Sequence, residues 1–254
     1  MSEMSLDLTG KAAVVTGGSR GLGMGIVTAM AEKGARVAIC GRKQENLDQA
    51  VQTFREQGHD VMAMAANVGD SAHMGEFFKA VEERFGRLDI LVNNVGMNIL
   101  TASVAEAGEG LWDKIIQTNL KGTFLASCEA VKLMKASGGG KIINITSTAA
   151  KKAAPGMGIY SVAKAAVEML TQVMAVELAQ QNIQVNAVAP SMVRTKFSQP
   201  FWSDEGMLKQ ITATIPMGRI AEVEDVVGAV LFLASGLSDF VTGERLTVDG
   251  GSLA

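Results

Sequence analysis

The sequence predicts an α/β protein: a single domain with a doubly wound parallel sheet of about seven strands between two layers of helices, a three-layer α/β/α arrangement. Short runs rich in β-branched residues alternate with longer segments of helical periodicity. These runs are apolar at nearly every position, which is typical of strands covered on both faces. A length of 254 residues suits one such domain.

Six runs are predicted strands, and they alternate with longer segments of helical periodicity. They are Ala12 to Thr16, Arg36 to Cys40, Asp60 to Ala65, Asp89 to Val92, Lys141 to Thr146 and Gln184 to Ala189. No repeat or Pro/Ser-rich linker interrupts the alternation, so the domain is predicted to span residues 1–254. The segment from about 191 to 215 lacks clean periodicity but carries large apolar side chains. We interpret this segment as a mobile lid over the substrate, in preference to a core-packed loop.

Composition argues against several partners. A net charge of -3 and a pI near 5.5 provide no broad basic surface for nucleic acid. The longest apolar stretches, such as Val226 to Ala234, fall short of the ~20 residues that cross a bilayer. The first eight residues include acids and no apolar core of a secretory signal. We therefore expect a cytoplasmic protein without a nucleic-acid or membrane partner.

No metal site is predicted from the cysteines and histidines. Cys40 lies in a strand pattern and Cys128 in a helical pattern, without ligand or redox spacing. His59 and His73 have no ligand partners nearby in the sequence. We expect both cysteines to be buried free thiols.

A glycine-rich turn follows the first strand directly and leads into a helical segment. Glycines at such a junction permit a tight turn and close approach of the backbone to a pyrophosphate, while free N–H groups at the helix start bind the anion. The spacing is Gly-x-x-x-Gly-x-Gly, which alone is also compatible with simple packing. The residues predicted to bind a dinucleotide here are Gly17, Ser19, Arg20, Gly21, Leu22 and Gly23.

The end of the second strand indicates which dinucleotide binds. Many NAD-binding folds place an acid here to accept a hydrogen bond from the ribose 2′-OH. This chain has Gly41 and Arg42 instead. Guanidinium groups at Arg42 and Arg20 suit a 2′-phosphate, so NADP(H) is favoured over NAD(H). Alternatively, Arg42 is a solvated start of the next helix.

Several motifs occur in an order that resembles the classical short-chain dehydrogenase/reductase family over nearly the whole chain. They are the glycine turn, Asn93-Asn94-Val95-Gly96, Asn119 in Thr-Asn-Leu-Lys-Gly, Ser147, Tyr160-Ser-Val-Ala-Lys164, and Val248-Asp-Gly-Gly251. The resemblance implies a Rossmann-type fold and an NAD(P)-dependent oxidoreductase acting on alcohols and carbonyls. It also implies catalytic roles for Asn119, Ser147, Tyr160 and Lys164.

The Tyr-x-x-x-Lys spacing has a physical reason. Residues four apart on a helix project from one face, so the Lys164 ammonium is expected near the Tyr160 phenol and is expected to lower its pKa. In the reductive direction, Tyr160 protonates the developing alkoxide while Ser147 hydrogen-bonds the same oxygen. The resemblance further implies that Lys164 holds the nicotinamide ribose and that Asn119 anchors a water on the proton path.

The resemblance extends to further cofactor positions. Asn67 stands where the family usually has an aspartate contacting adenine, and its amide oxygen also accepts hydrogen bonds. Ser191 stands where the family usually has glycine. The cofactor-binding residues implied in this way are Asn67, Val68, Asn93, Val95, Gly96, Tyr160, Lys164, Pro190, Val193 and Thr195.

The predicted substrate pocket is mostly apolar. It comprises Met97, Asn98, Ser147, Ala149, Met157, Tyr160, Met192, Phe201 and Trp202. This favours a ketone or secondary alcohol with a hydrophobic substituent over a free sugar. Val176 stands where acyl-carrier-protein thioester reductases of the family usually carry an arginine. Lys151 and Lys152 leave open a phosphorylated or CoA-bearing substrate.

The sequence is also compatible with other functions, and it predicts an oligomeric state. A 3-oxoacyl-thioester reductase and an NAD-dependent alcohol dehydrogenase are the enzymatic alternatives, and a catalytically silent NADP-binding sensor or scaffold is the non-enzymatic one. An epimerase or dehydratase would need further acid/base groups. By resemblance, the long helical pattern with Trp112 and Phe124 joins the next helix in a subunit interface, so a homotetramer is expected.

Overall fold

A computed structural model describes residues 5–254, and the predicted absence of a secretory signal rests partly on residues outside this range. One seven-stranded parallel sheet, in the order β3-β2-β1-β4-β5-β6-β7, forms the centre. The strands are β1 (Ala12–Thr16), β2 (Arg36–Gly41), β3 (Val61–Ala65), β4 (Ile90–Asn93), β5 (Gly140–Ile145), β6 (Ile183–Pro190) and β7 (Arg245–Val248). The predicted fold class is confirmed.

The helices alternate with the strands. They are α1 (Gly21–Glu32), α2 (Gln44–Glu56), α3 (Ser71–Phe85), α4 (Glu109–Ile116), α5 (Gly122–Ala136), α6 (Gly158–Leu178), α7 (Gln199–Trp202), α8 (Glu205–Ala213) and α9 (Val223–Ala234). A π-helical turn, Gln117–Lys121, joins α4 to α5, and a 3₁₀ turn, Thr148–Ala150, follows β5. Each predicted strand agrees with its observed bounds to within one residue at either end. Only β7 was not assigned to a specific run.

Two apolar layers cover the two faces of the sheet, because neighbouring residues of a strand point to opposite sides. In β1, Ala13 and Val15 join a cluster with side chains of α1, α2 and α9. Val14 joins the opposite cluster, which includes side chains of α3, α5 and α6. The burial of β1 on both faces explains why its sequence does not alternate between apolar and polar residues.

The helix α6 is the most apolar long helix of the chain. Residues 158–181, which include it, are long and apolar enough to cross a membrane by length and composition. Its side chains at Ala163, Val167 and Met174 are buried, the last of them in the cluster under the sheet. Core helices of soluble proteins pass the same test of length and composition, so this finding is weak evidence for a membrane span.

The segment from 191 to 215 is more regular than predicted. Two short helices, α7 and α8, occupy most of it, and Asp204 caps α8 by accepting a hydrogen bond from the Met207 N–H at 2.7 Å. Neither helix has a buried side chain. The weak periodicity follows from this exposure, because an exposed helix needs no continuous apolar stripe.

The two cysteines differ in burial. Cys40 is fully buried in β2, as expected, and burial raises the pKa of its thiol to about 12. Cys128 on α5 is only half-buried, so the expectation of a fully buried thiol is wrong there. Cys128 is not among the buried residues of α5, which include its neighbours Ser127 and Ala130.

Candidate active site

A cleft of about 1070 Å³ lies at the carboxyl ends of the strands. It lies where β1 is flanked by β2 on one side and β4 on the other, the point at which the strand order reverses and ligands of such sheets usually bind. The predicted residues that line it are Gly17, Ser19, Arg20, Gly21, Leu22, Gly23, Gly41, Arg42, Asn67, Val68, Val95, Gly96, Met97, Asn98, Ser147, Ala149, Met157, Tyr160, Lys164, Pro190, Met192, Val193, Thr195 and Phe201. The structure thus brings nearly all of the predicted site together.

The glycine turn between β1 and α1 has the shape of an anion cradle. Gly17 and Gly21 have positive φ angles of 69° and 53°, which glycine adopts without strain. A Cβ at Gly23 would lie 2.3 Å from the Gly17 carbonyl oxygen. At the N-cap of α1, Arg20 makes no side-chain capping bond. The first N–H groups of α1 therefore remain available to a phosphate.

Asn94 ties this turn to the neighbouring strand β4. Its amide donates to the carbonyl oxygens of Thr16 and Gly17 at 3.0 and 3.2 Å. The Thr16 hydroxyl accepts from the N–H groups of Asn94 and Val95 at 3.0 and 3.2 Å. Asn94 also lines the cleft, whereas the sequence identified it only as part of a motif.

Asn93 is not among the residues that line the cleft, and its role in cofactor binding stays a prediction. It is only 4% exposed, and its amide donates to Ser127 Oγ at 2.9 Å and Asn144 Oδ1 at 2.8 Å. Asn144 in turn donates to Thr171 Oγ1 at 2.9 Å. As the last residue of β4, Asn93 points into the layer beneath the sheet, and this buried polar chain holds β4, β5, α5 and α6 together.

The end of the cleft next to β2 is basic. Arg42 and Lys43 follow β2, Ser19 and Arg20 belong to the glycine turn, and all four line the cleft together with Asn46. Asn67 is exposed, and its side-chain oxygen accepts from the Gly69 N–H at 3.2 Å. This end of the cleft therefore offers cationic donors and, among the described residues that line it, no carboxylate.

Tyr160 and Lys164 lie one turn apart at the start of α6, as the spacing predicts. The Lys164 Nζ lies 5.7 Å from the centroid of the Tyr160 ring and donates to the Ile145 carbonyl oxygen, at the end of β5, at 2.7 Å. Lys164 is only 3% exposed. This bond to the sheet fixes the ammonium beside the phenol.

Burial dominates the electrostatics of this pair. It raises the pKa of Tyr160 to about 12, although a bond to the Ser147 hydroxyl acts in the opposite direction. Burial also lowers the pKa of Lys164 to about 8. The expected lowering of the phenol pKa by the ammonium is therefore not found in the protein alone, because desolvation disfavours both charged forms.

Ser147 follows β5 and begins the 3₁₀ turn. Its side chain accepts from the Ala149 N–H at 3.1 Å, which fixes the hydroxyl at the end of the strand beside Tyr160. Asn119 lies behind the cleft lining, fully buried within the π-helical turn. Its amide exchanges two bonds of 2.7 Å with the backbone of Met97. The structure therefore shows Asn119 holding the Met97 turn, and its water-anchoring role stays a prediction.

A small polar cluster around Ser198 holds together the start of the segment from 191 to 215. Ser198 is 6% exposed, and its hydroxyl donates to the Val193 carbonyl oxygen. The Trp202 indole N–H donates to Ser198 Oγ at 3.0 Å and lies 3.2 Å from the Thr195 carbonyl oxygen. The Arg194 guanidinium lies 5.1 Å from the centroid of the indole. Trp202 thus bonds to this cluster and is not among the residues that line the cleft, so its role as a substrate contact stays a prediction.

Two further features bear on the sequence predictions. Ser191 does not have a positive φ, so the serine at this position requires no strained backbone.

Several lining residues were not identified from the sequence, because only tertiary structure brings them to the cleft. They include Lys43, Asn46, Thr118, Lys196, Gln210, Ile211, Thr214, Ile215, Ser252 and Leu253.

The chain end reaches the cleft through a tight turn. The Asp249 carboxylate accepts from the N–H groups of Gly251 and Leu253 at 2.9 Å each. The Met217 N–H donates to the Gly250 carbonyl oxygen at 3.1 Å. This bond joins the turn to the loop that follows α8. No local pattern in the sequence indicates that Leu253 forms part of the cleft.

The fold and this cleft define a class of protein. A phosphate cradle at the switch point of a parallel sheet, with a serine, a tyrosine and a lysine converging on the same cleft, is the arrangement of a dinucleotide-dependent oxidoreductase. Comparison with known proteins leads to the same class.

A family model described as enoyl-(acyl carrier protein) reductase matches residues 17–252. The 3α-hydroxysteroid dehydrogenase of Mediterraneibacter gnavus is 39% identical over 98% of this chain and 99% of its own. The dehydrogenase/reductase SDR family member 4 of Bos taurus is 36% identical over 97% of this chain and 88% of its own. The crystal structure of a gluconate 5-dehydrogenase from Burkholderia cenocepacia with NADP and tartrate matches with a TM-score of 0.93 and 34% identity, covering 97% and 96% of the two chains.

The chain belongs to the short-chain dehydrogenase/reductase family. It is therefore an NAD(P)-dependent oxidoreductase of the class that interconverts alcohols and carbonyl compounds.

Proposed function

We propose that the protein is an NADP(H)-dependent oxidoreductase that transfers hydride between nicotinamide and a ketone or secondary alcohol, with Tyr160 as general acid/base. The convergence of Ser147, Tyr160 and Lys164 on the cleft that also contains the glycine turn carries this proposal. Each residue type is common, but their meeting beside a phosphate cradle is what this reaction requires.

The cofactor is assigned to the half of the cleft under the strand ends. The glycine turn and the free N–H groups of α1 hold the pyrophosphate. Val68 and Asn67 border the adenine, and Val193 and Thr195 bind the carboxamide of the nicotinamide. When bound, the dinucleotide supplies or accepts a hydride at nicotinamide C4. Lys164 holds the nicotinamide ribose, and Pro190, Val95 and Gly96 complete the wall.

Tyr160 supplies the proton in the reductive direction. With a pKa raised to about 12, its phenol is protonated at neutral pH and can give its proton to the carbonyl oxygen of the substrate. Ser147 donates a hydrogen bond to the same oxygen, which stabilises the developing negative charge. The Lys164 ammonium favours the phenolate left behind, and Asn119 keeps the Met97 turn in place and anchors a water that restores the proton.

Arg42 and Arg20 support NADP(H) over NAD(H), because a guanidinium group can bind a 2′-phosphate through two donors. The related gluconate 5-dehydrogenase was crystallised with NADP. The test is titration of both reduced cofactors against one ketone. We expect the higher kcat/KM with NADPH, and a higher value with NADH would favour the NAD-dependent alcohol dehydrogenase instead.

For the substrate we propose a ketone or secondary alcohol with a hydrophobic substituent. Met97, Met157, Met192 and Phe201 line the substrate half of the cleft, and methionine adapts to many shapes. The relatives differ in substrate, from a hydroxysteroid to gluconate, and the family description names acyl-carrier-protein chemistry. A panel of ketones, alcohols and 3-oxoacyl thioesters, followed by nicotinamide absorbance, separates these classes. A silent sensor or scaffold would bind NADPH but oxidise it with none of them.

Residues 191–215 are proposed to be the substrate lid of a single domain spanning residues 1–254. The helices α7 and α8 carry no buried side chain, yet Phe201, Gln210 and Ile211 line the cleft. An exposed helix pair that contributes cleft residues can move without disturbing the core. Protection of this segment from hydrogen exchange on addition of substrate is the measurement that tests it.

The protein is proposed to be a cytoplasmic homotetramer. Apolar side chains are exposed on α4, α5 and α6: Trp112 by 39%, Phe124 by 47%, Met169 by 57% and Val176 by 81%. Apolar surface of this extent commonly marks a protein interface. Light scattering after size exclusion tests the assembly, and Val176→Glu is expected to weaken it.

A further inference from the structure

The cleft has an unbalanced charge. Six cationic side chains line it, and no aspartate or glutamate does so among residues 5–254. They are Arg20, Arg42, Lys43, Lys152, Lys164 and Lys196. The chain as a whole carries a net charge of -3, so this cleft differs in sign from the average surface. A cleft lined by one sign of charge attracts ligands of the opposite sign.

The dinucleotide does not explain all six cations. Arg20, Arg42 and Lys43 lie at the end assigned to the 2′-phosphate, and Lys164 is buried beside Tyr160. Lys152 lies five residues after Ser147, on the loop between the 3₁₀ turn and α6. Lys196 follows Thr195 at the base of the lid. Lys152 thus lies on the loop that follows Ser147, and Lys196 lies on the segment that also contributes Met192 and Phe201 to the cleft.

Neither lysine is neutralised by the protein. Within the part of the chain that the structure describes, no carboxylate forms an ion pair with Lys152 or Lys196. By contrast, Arg194, two residues before Lys196, is paired with Glu222 at 2.9 Å. Lys196 and Lys152 are both exposed, so their ammonium groups can meet a ligand in the cleft.

We propose that Lys152 and Lys196 form an anion subsite that binds a carboxylate or phosphate group of the substrate, remote from the carbonyl that is reduced. The inference rests on the proposed function and narrows its substrate class. The methionines and Phe201 contact the apolar body of the substrate, and the two lysines bind its charged end. Carboxylates and phosphates are the anions that a lysine ammonium binds by charge-assisted hydrogen bonds.

Matched substrate pairs test the subsite and identify the anion. One pair is an aliphatic oxo acid and its methyl ester, and the other is a 3-oxoacyl-CoA and the corresponding N-acetylcysteamine thioester, which lacks the phosphates. At saturating NADPH, kcat/KM is expected to be about tenfold higher for the anionic member, the size of one charge-assisted hydrogen bond. Preference in the first pair identifies a carboxylate, and preference confined to the second identifies a phosphate.

The lysines are then replaced singly. Lys152→Gln and Lys196→Gln are each expected to reduce the anionic-to-neutral ratio of kcat/KM about threefold, so that the two losses together account for the tenfold preference. Lys209→Gln on α8 is the matched control, because this substitution removes the same charge from an exposed lysine that lies outside the cleft. An unchanged ratio in both cleft variants overturns the proposal. So does an increased KM for NADPH with an unchanged ratio, which would assign these lysines to the cofactor.

A binding measurement separates this proposal from the proposed function. Calorimetric titration of the NADP⁺-loaded protein with hexanoate and with hexanamide requires no turnover. Binding of hexanoate, lost in Lys152→Gln, supports the subsite even if no ketone is reduced. Equal binding of the acid and the amide overturns the subsite while leaving the oxidoreductase proposal intact.

Discussion

The two walls of the cleft are built differently. On the sheet side, every residue of β1 and β4 is buried, and Lys164 is fixed to the end of β5 by a bond of 2.7 Å. On the opposite side, α7 and α8, which form the proposed lid, have no buried side chain, and the Trp202 indole at the end of α7 bonds to Ser198. The comparison teaches that the groups assigned to chemistry stand on buried, hydrogen-bonded elements, whereas Phe201, which is assigned to the substrate, stands on a helix without a buried side chain.

The largest expected effect comes from the sheet side. Tyr160→Phe removes one hydroxyl from a site that keeps its shape, and kcat/KM should fall about 10³-fold because the proton donor is lost. NADPH affinity and melting temperature should stay close to those of the unaltered protein. Initial rates with one good ketone measure the effect. Full turnover by this variant would refute the proposed mechanism.

The same residue gives the two reaction directions different pH profiles. Because burial raises the pKa of Tyr160, the acid form is present throughout neutral pH and the base form is scarce. Alcohol oxidation, where Tyr160 must accept a proton, should therefore rise by about tenfold per pH unit while chemistry limits the rate. Ketone reduction should stay level until about pH 8, where Lys164 loses its charge. A level profile for oxidation would show that another group takes the proton.

The preference for NADPH over NADH tests a further group on the sheet side of the cleft, Arg42. Arg42→Ala should lower kcat/KM for NADPH about tenfold by removing a charge-assisted contact to the 2′-phosphate, with little change for NADH. Arg55→Ala, an exposed arginine on α2 outside the cleft, is the control. Equal losses with both cofactors would mean that Arg42 does not bind this phosphate.

The smallest effect is expected from the lid. Trp202→Phe removes the indole N–H that bonds to Ser198, so the base of the lid should loosen. We expect KM for the substrate to rise about fivefold, in line with the loss of about 1 kcal/mol, with kcat nearly unchanged. Trp112→Phe on α4 is the matched control. A large fall in kcat with an unchanged KM would place Trp202 in the chemistry instead.

Local patterns explain which features were predictable. Buried strands are apolar throughout, so six of them were located to within one residue, and the spacing of Tyr160 and Lys164 placed them one helical turn apart. The roles of Asn93 and Asn94 were harder to predict. Successive residues of a strand point to opposite sides, and the sequence does not show which of the two asparagines faces the cleft.

Features that depend on tertiary structure were not predictable. Leu253 reaches the cleft only through the turn after β7, and no pattern in the sequence indicates that the Trp202 indole bonds to Ser198. The pKa of Tyr160 was expected to fall, but its burial is a property of the folded protein. The helices of the lid are exposed and so leave a weak apolar pattern.

Tyr160 is the only tyrosine in the chain, so phenolate absorbance reports this residue alone and tests the central claim directly. In a pH titration of the protein without cofactor, followed together with circular dichroism, the account predicts a pKa of about 12, or phenolate formation only as the fold is lost. Saturating NADP⁺ should move the onset to lower pH, because a positive nicotinamide ring beside the phenol favours phenolate. An ordinary pKa near 10.0 that NADP⁺ leaves unchanged would contradict the account.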